Sequence, residues 1–100
     1  MQLNLTGKNL KITPAIKTHT EDKFDHLHKR YSQINSIHVI LHIENIDHYA
    51  EATVHFHGSE LHASAKASDM YLAIDALVEK LSGQMHKQKE KSIDSQRHHS

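Results

Sequence analysis

Twelve of the 100 residues are histidine, and several stand at spacings that gather imidazoles together. His38 and His42 fall in one alternating segment, His55 and His57 in a second, and His62 in a third. If those segments are strands, all five rings point to one face of a sheet, because residues two apart share a side. A His-x-His pair with a third ring from a neighbouring strand is a pattern that zinc accepts. His55, His57 and His62 are the candidate ligands. The plainer reading is a polar sheet face on which histidine stands in for other polar residues. No general base is marked: there is no HExxH, and the acids expected on that face are Glu44, Glu51 and Glu60. Free imidazole titrates at about 6.5. Acidification from pH 7.5 to 6 should therefore add positive charge and raise the affinity for any polyanion.

A second constellation is cationic. Lys80, Gln84, Lys87 and Lys91 recur at i, i+4, i+7 and i+11, which returns to nearly one azimuth at ~100° per residue. Lys23, His26 and Arg30 form a shorter row near position 30, with Lys29 beside it and Lys89 beside the longer row. Residues 1–79 carry seven Lys and Arg against ten Asp and Glu, whereas residues 80–100 carry five against two. The chain is neutral on average, yet it is a slightly acidic body with a basic end. Such asymmetry points to an anionic partner. Few aromatics are free to stack on bases; Tyr49 and Tyr71 are the candidates. Recognition of folded RNA by shape and backbone is expected, not base reading on a single strand.

The elements that must hold these rows are legible from periodicity. Met70, Ile74, Leu77, Val78, Leu81 and Met85 mark the buried face of a helix over 68–91, with Ser68 as its cap and Asp69 in its first turn. Gly83 interrupts that helix and should cost roughly 1 kcal/mol relative to Ala. Thr13-Pro14 opens a helix over 14–31, with Ile16, Thr20, Phe24, Leu27 and Tyr31 on one face. Residues 2–6 alternate as a short strand ended by Gly7. Residues 35–67 alternate in three runs, broken at Asn45–Asp47 and at Gly58-Ser59. The order is β-α-β-β-β-α. An α+β fold follows, a four-stranded sheet with both helices on its greasy face, as in double-stranded-RNA-binding domains. Residues 1–91 form the one domain, and 92–100 are expected to be a disordered tail.

Several classes of function are excluded. There is no Cys for a disulfide, a thiolate metal site or a nucleophile. No Ser sits in a glycine-flanked elbow, and the three glycines are isolated. Asp69 and Asp75 are six apart and lie on different helix faces. An enzyme is not expected, nor a cofactor. The start MQLNLTGKN lacks a signal-peptide pattern and no apolar run approaches the ~20 residues of a membrane span, so a cytosolic chain is expected.

Four segments carry a resemblance. MQLNLTGKNLKIT at the start, KFDHL at 23–27, HGSELHASA at 57–65 and DMYLAIDALVEKL at 69–81 resemble, in register, the short-form ribosome hibernation promoting factors and the related ribosome-associated translation inhibitors. The likeness runs from Met1 to about Lys91. It implies the β-α-β-β-β-α fold and binding to the small ribosomal subunit and its rRNA, in the channel between head and body where mRNA and tRNA would lie. It implies a steric and electrostatic block on translation without turnover, in stationary phase or starvation. A separate ribosome modulation factor would act on the same ribosomes to pair them into inactive dimers. No membrane or small-molecule substrate is implied. RNA contact carries over to Lys23, Lys80, Lys87, Lys89 and Lys91, and the basic rows add Lys29 and Arg30. The chain departs from the pattern at Gly83, where the family tends to a basic residue, and at His26, His42 and His86. A short form, without the second domain of long forms or the long acidic tail of the inhibitor, is expected. Two other readings stand beside this one: a metal-binding or pH-sensing protein built on the histidines, and a general double-stranded RNA module.

Overall fold

The computed structural model describes residues 1–98, with side chains to Lys89. Strand β1 (Gln2–Gly7) is followed by helix α1 (Pro14–Arg30), then β2 (Ile34–Glu44), β3 (Asp47–Phe56), β4 (Ser59–Ala67) and helix α2 (Met70–His98). The expected domain boundary at 91 and the tail at 92–100 lie beyond the described side chains, and α2 runs through that boundary unbroken.

The sheet has the order β1-β2-β3-β4, with β1 parallel to β2 and the other pairs antiparallel. Gly7 ends β1 where a Cβ would collide with the carbonyl oxygen of Leu10, so only glycine lets the chain turn back there. Thr13 caps α1, its Oγ1 accepting from the Ile16 N–H at 3.2 Å, and Pro14 fills the first turn. The buried Thr20 hydroxyl is satisfied within the helix by donating to the Ile16 carbonyl at 2.8 Å.

His57 and Gly58 join β3 to β4 with φ of 54° and 77°, the two positive values of a type I′ hairpin. The turn takes His57 out of the strand alternation, so it does not join the other histidines on the open face. The second helix also starts one residue later than expected. Its cap is Asp69, not Ser68: Asp69 Oδ1 accepts from the Leu72 N–H at 2.9 Å, and its carbonyl accepts from Ala73 at 3.1 Å. Carboxylate acceptance at the positive end of the helix dipole favours that choice.

Alternation decides what the helices cover. Ile37, Val39, Leu41, Ala50, Ala52, Val54, Phe56 and Ala65 are buried on one sheet face. Phe24 and Leu27 of α1 and Ala73, Ile74, Leu77, Leu81 and Met85 of α2 close over them. Helix α2 lies over β3 and β4, with α1 alongside. Each fully buried Leu or Ile contributes about 1.5–3 kcal/mol. The apolar rows thereby fix which helix flanks remain for polar work.

Candidate nucleic-acid interface

The flank of α2 that turns to α1 is set by polar contacts. His19 Nε2 lies 2.8 Å from Asp75 Oδ1, and Lys23 Nζ lies 3.6 Å from the same oxygen. Tyr31 donates its hydroxyl to the Ser82 carbonyl at 3.4 Å, and the His19 ring meets Tyr71 edge-on at 5.1 Å. Asp75 therefore draws two side chains of α1 across the helix pair, and part of the Lys23 charge is neutralised there.

The opposite flank faces the free edge of β4, the outermost strand. Lys80 Nζ donates to the Ser64 carbonyl at 2.7 Å, and Gln84 Nε2 donates to the His62 carbonyl at 2.9 Å. Gln88 Nε2 donates to Ser59 Oγ at 2.8 Å. The Lys80–Gln84 part of the expected row is thus a set of donors laid along an unpaired strand edge. Lys80 and Lys87 line one side of a groove of about 780 Å³ that rounds this edge to His38, Thr53 and His62.

The single basic platform expected from the two rows is accordingly divided. Lys80 and Lys87 stand together at the β4 edge. Arg30 and Lys89 meet elsewhere, in a cleft of about 230 Å³ with Tyr31, Gln33 and His57. Lys23 sits at Asp75, and Lys29 is exposed in the last turn of α1. The side chain of Lys91 is beyond those described. Helical spacing fixes azimuths around α2 but not which flank its neighbour takes, and that is why the sequence joined what the structure separates.

On the open sheet face the histidines find other partners than one another. His38 Nε2 is 3.3 Å from Thr6 Oγ1, and His62 places Nδ1 3.1 Å from Thr53 Oγ1 and Nε2 2.9 Å from Glu60. His55 is 3.9 Å from the other oxygen of Glu60. His42 stacks on Tyr49 with centroids 4.7 Å apart and planes 3° from parallel. Among the described residues no group of three or more His, Asp or Glu side chains is placed to hold a metal ion. His57, the third candidate ligand, has left for the turn.

Sequence reasoning missed the His19–Asp75 pair and the edge contacts of Gln84 and Gln88. The first joins residues 56 apart with no local pattern, and the second depends on which strand lies beneath α2. Neither leaves a signal in spacing.

The cations flank two helices on a four-stranded sheet, and comparison with known proteins defines the class. Residues 3–93 match the family described as sigma 54 modulation protein / S30EA ribosomal protein, and the chain belongs to that family. It is 45% identical over 91 residues to the ribosome hibernation promoting factor of Escherichia coli K12, covering 91% of this chain and 96% of that protein. The factor of the same name from Azotobacter vinelandii is 41% identical over 96 residues, 96% of this chain and 90% of that one. A ribosomal subunit interface protein from Coxiella burnetii has the same fold, with a TM-score of 0.86 and 34% identity over 90% of this chain and 99% of that one. The N-terminal domain of Thermus thermophilus Protein Y superposes with a TM-score of 0.77 at 32% identity, over 84% of this chain and 94% of that one. The resemblance to short-form hibernation factors holds along nearly the whole length of both chains. The family is one of ribosome-binding proteins, and the chain is not an enzyme.

Proposed function

We propose that this chain is a ribosome hibernation factor of the cytoplasm. It binds the small ribosomal subunit in the channel that mRNA and tRNA would occupy, and it blocks translation by occupying that space. In stationary phase it promotes inactive ribosome dimers, acting with a separate ribosome modulation factor. The observation that carries this reading is the near full-length likeness to hibernation promoting factors, on a fold shared with a ribosomal subunit interface protein. Lys23, Lys29, Arg30, Lys80, Lys87, Lys89 and Lys91 are the proposed contacts to rRNA phosphates. The separation of Lys80 and Lys87 at the β4 edge from Arg30 and Lys89 at the end of α1 suits a wedge that touches RNA on more than one side. Among the described residues no helix is long and apolar enough to cross a membrane.

The test is translation in vitro. Purified protein should inhibit it, and ribosomes already loaded with mRNA and initiator tRNA should resist. Equal inhibition of loaded and empty ribosomes would place the protein outside the channel. Binding to any plain RNA duplex as tightly as to small subunits would favour a general double-stranded RNA module instead.

A further inference from the structure

The cleft at the C-terminal end of α1 has a chemistry of its own. Arg30 comes from α1, Lys89 from α2 and His57 from the β3–β4 turn, and all three line the same small cavity with Ser32 and Gln33. Among the described lining residues there is no carboxylate. The floor is rigid: Tyr31 and Phe56 meet edge to face at 5.9 Å, planes at 89°, and both are buried. The Arg30 guanidinium rests 5.4 Å above the Tyr31 ring, a cation–π contact that holds its fork over the cleft. Tyr31 is tied in turn to α2 through the Ser82 carbonyl.

We infer that this cleft is a binding site for one phosphate group of a nucleotide. Arg30 would hold the phosphate through paired N–H donors, which match two of its oxygens. Lys89 adds a point charge from the facing helix, and Ser32, Gln33 and His57 supply neutral donors. The last carbonyls of α1 oppose an anion here. The two full positive charges of Arg30 and Lys89, brought by two separate helices, outweigh that partial charge. The volume, about 230 Å³, is below the ~300–1,000 Å³ that drug-sized ligands fill. It suits a phosphate and its sugar, with the base left outside, because Arg30 already covers the Tyr31 ring. The site thereby accepts any sequence. The inference deepens the ribosome-binding reading by naming one subsite of it, but it is tested on the protein alone, so the two can fail separately.

The experiment is a titration of isotope-labelled protein, followed by backbone amide shifts at constant ionic strength. The probes are AMP, adenosine and an RNA hexanucleotide without terminal phosphates. AMP should move Ser32, Gln33, His57 and Lys89 saturably, and adenosine should leave them still. Arg30→Ala and Lys89→Ala should each weaken AMP about tenfold, while Lys17→Ala, exposed on α1, should not. Shifts with the hexanucleotide as well identify the phosphodiester of a strand as the source, and shifts with AMP alone identify a free phosphomonoester. Equal shifts with adenosine, AMP shifts spread evenly to Lys80 and Lys87, or no shifts at all would overturn the site.

Discussion

Asp75 gathers His19 and Lys23 at one oxygen, and its neighbours in the helix pair are half exposed. Exposed pairs of this kind contribute at most about 1 kcal/mol. Asp75→Ala should therefore lower the melting temperature by a few degrees, and the difference should shrink in 0.5 M salt, as calorimetry at two salt concentrations will read. The same geometry ranks the lysines. Lys23 is already partly neutralised, whereas Lys87 has no carboxylate partner among the described residues. Lys87→Ala should weaken binding to small subunits more than Lys23→Ala, measured by pelleting with purified subunits. Equal losses would mean that Asp75 releases Lys23 on binding.

At the scale of the elements, α2 serves as cover for the core and as guard of an edge. Lys80 and Gln84 occupy the outward carbonyls of Ser64 and His62 on β4, groups that would otherwise invite pairing by another strand. The double substitution Lys80→Ala with Gln84→Ala should raise the fraction of larger species in gel filtration at high concentration. Gly83 lies on the same helix with open space where a Cβ would stand. Gly83→Ala should stabilise the protein by up to about 1 kcal/mol, seen as a higher urea midpoint with unchanged slope. The periodicities made both helices, all four strands and the core readable in advance, since burial imposes them residue by residue. Other features escaped besides the His19–Asp75 pair and the Gln84 and Gln88 edge contacts. The cap moved from Ser68 to Asp69 because two adjacent residues can both cap, and local geometry chooses. His57 left the sheet face because its turn needs positive φ. The basic rows separated because α1 docks on the Asp75–Ser82 flank of α2, a tertiary choice that helical spacing does not encode.

Taken whole, the molecule is neutral in sum and segregated in detail, with its basic excess beyond residue 80. If about six of the seven proposed cations meet phosphates, affinity for the subunit should fall on the order of a thousandfold between 50 and 200 mM salt. The rise in affinity expected from the histidine count between pH 7.5 and 6 is a separate prediction. Binding titrations at constant ionic strength that are flat with pH would remove the histidines from the account. The most direct measurement is co-sedimentation with small ribosomal subunits of the intact protein and of a charge-reversed variant, Arg30→Glu with Lys87→Glu. That variant takes one cation from each group and leaves the Lys80 edge contact in place. The account predicts binding by the intact chain and its loss in a variant with an unchanged circular dichroism spectrum. Full binding by that folded variant would contradict it.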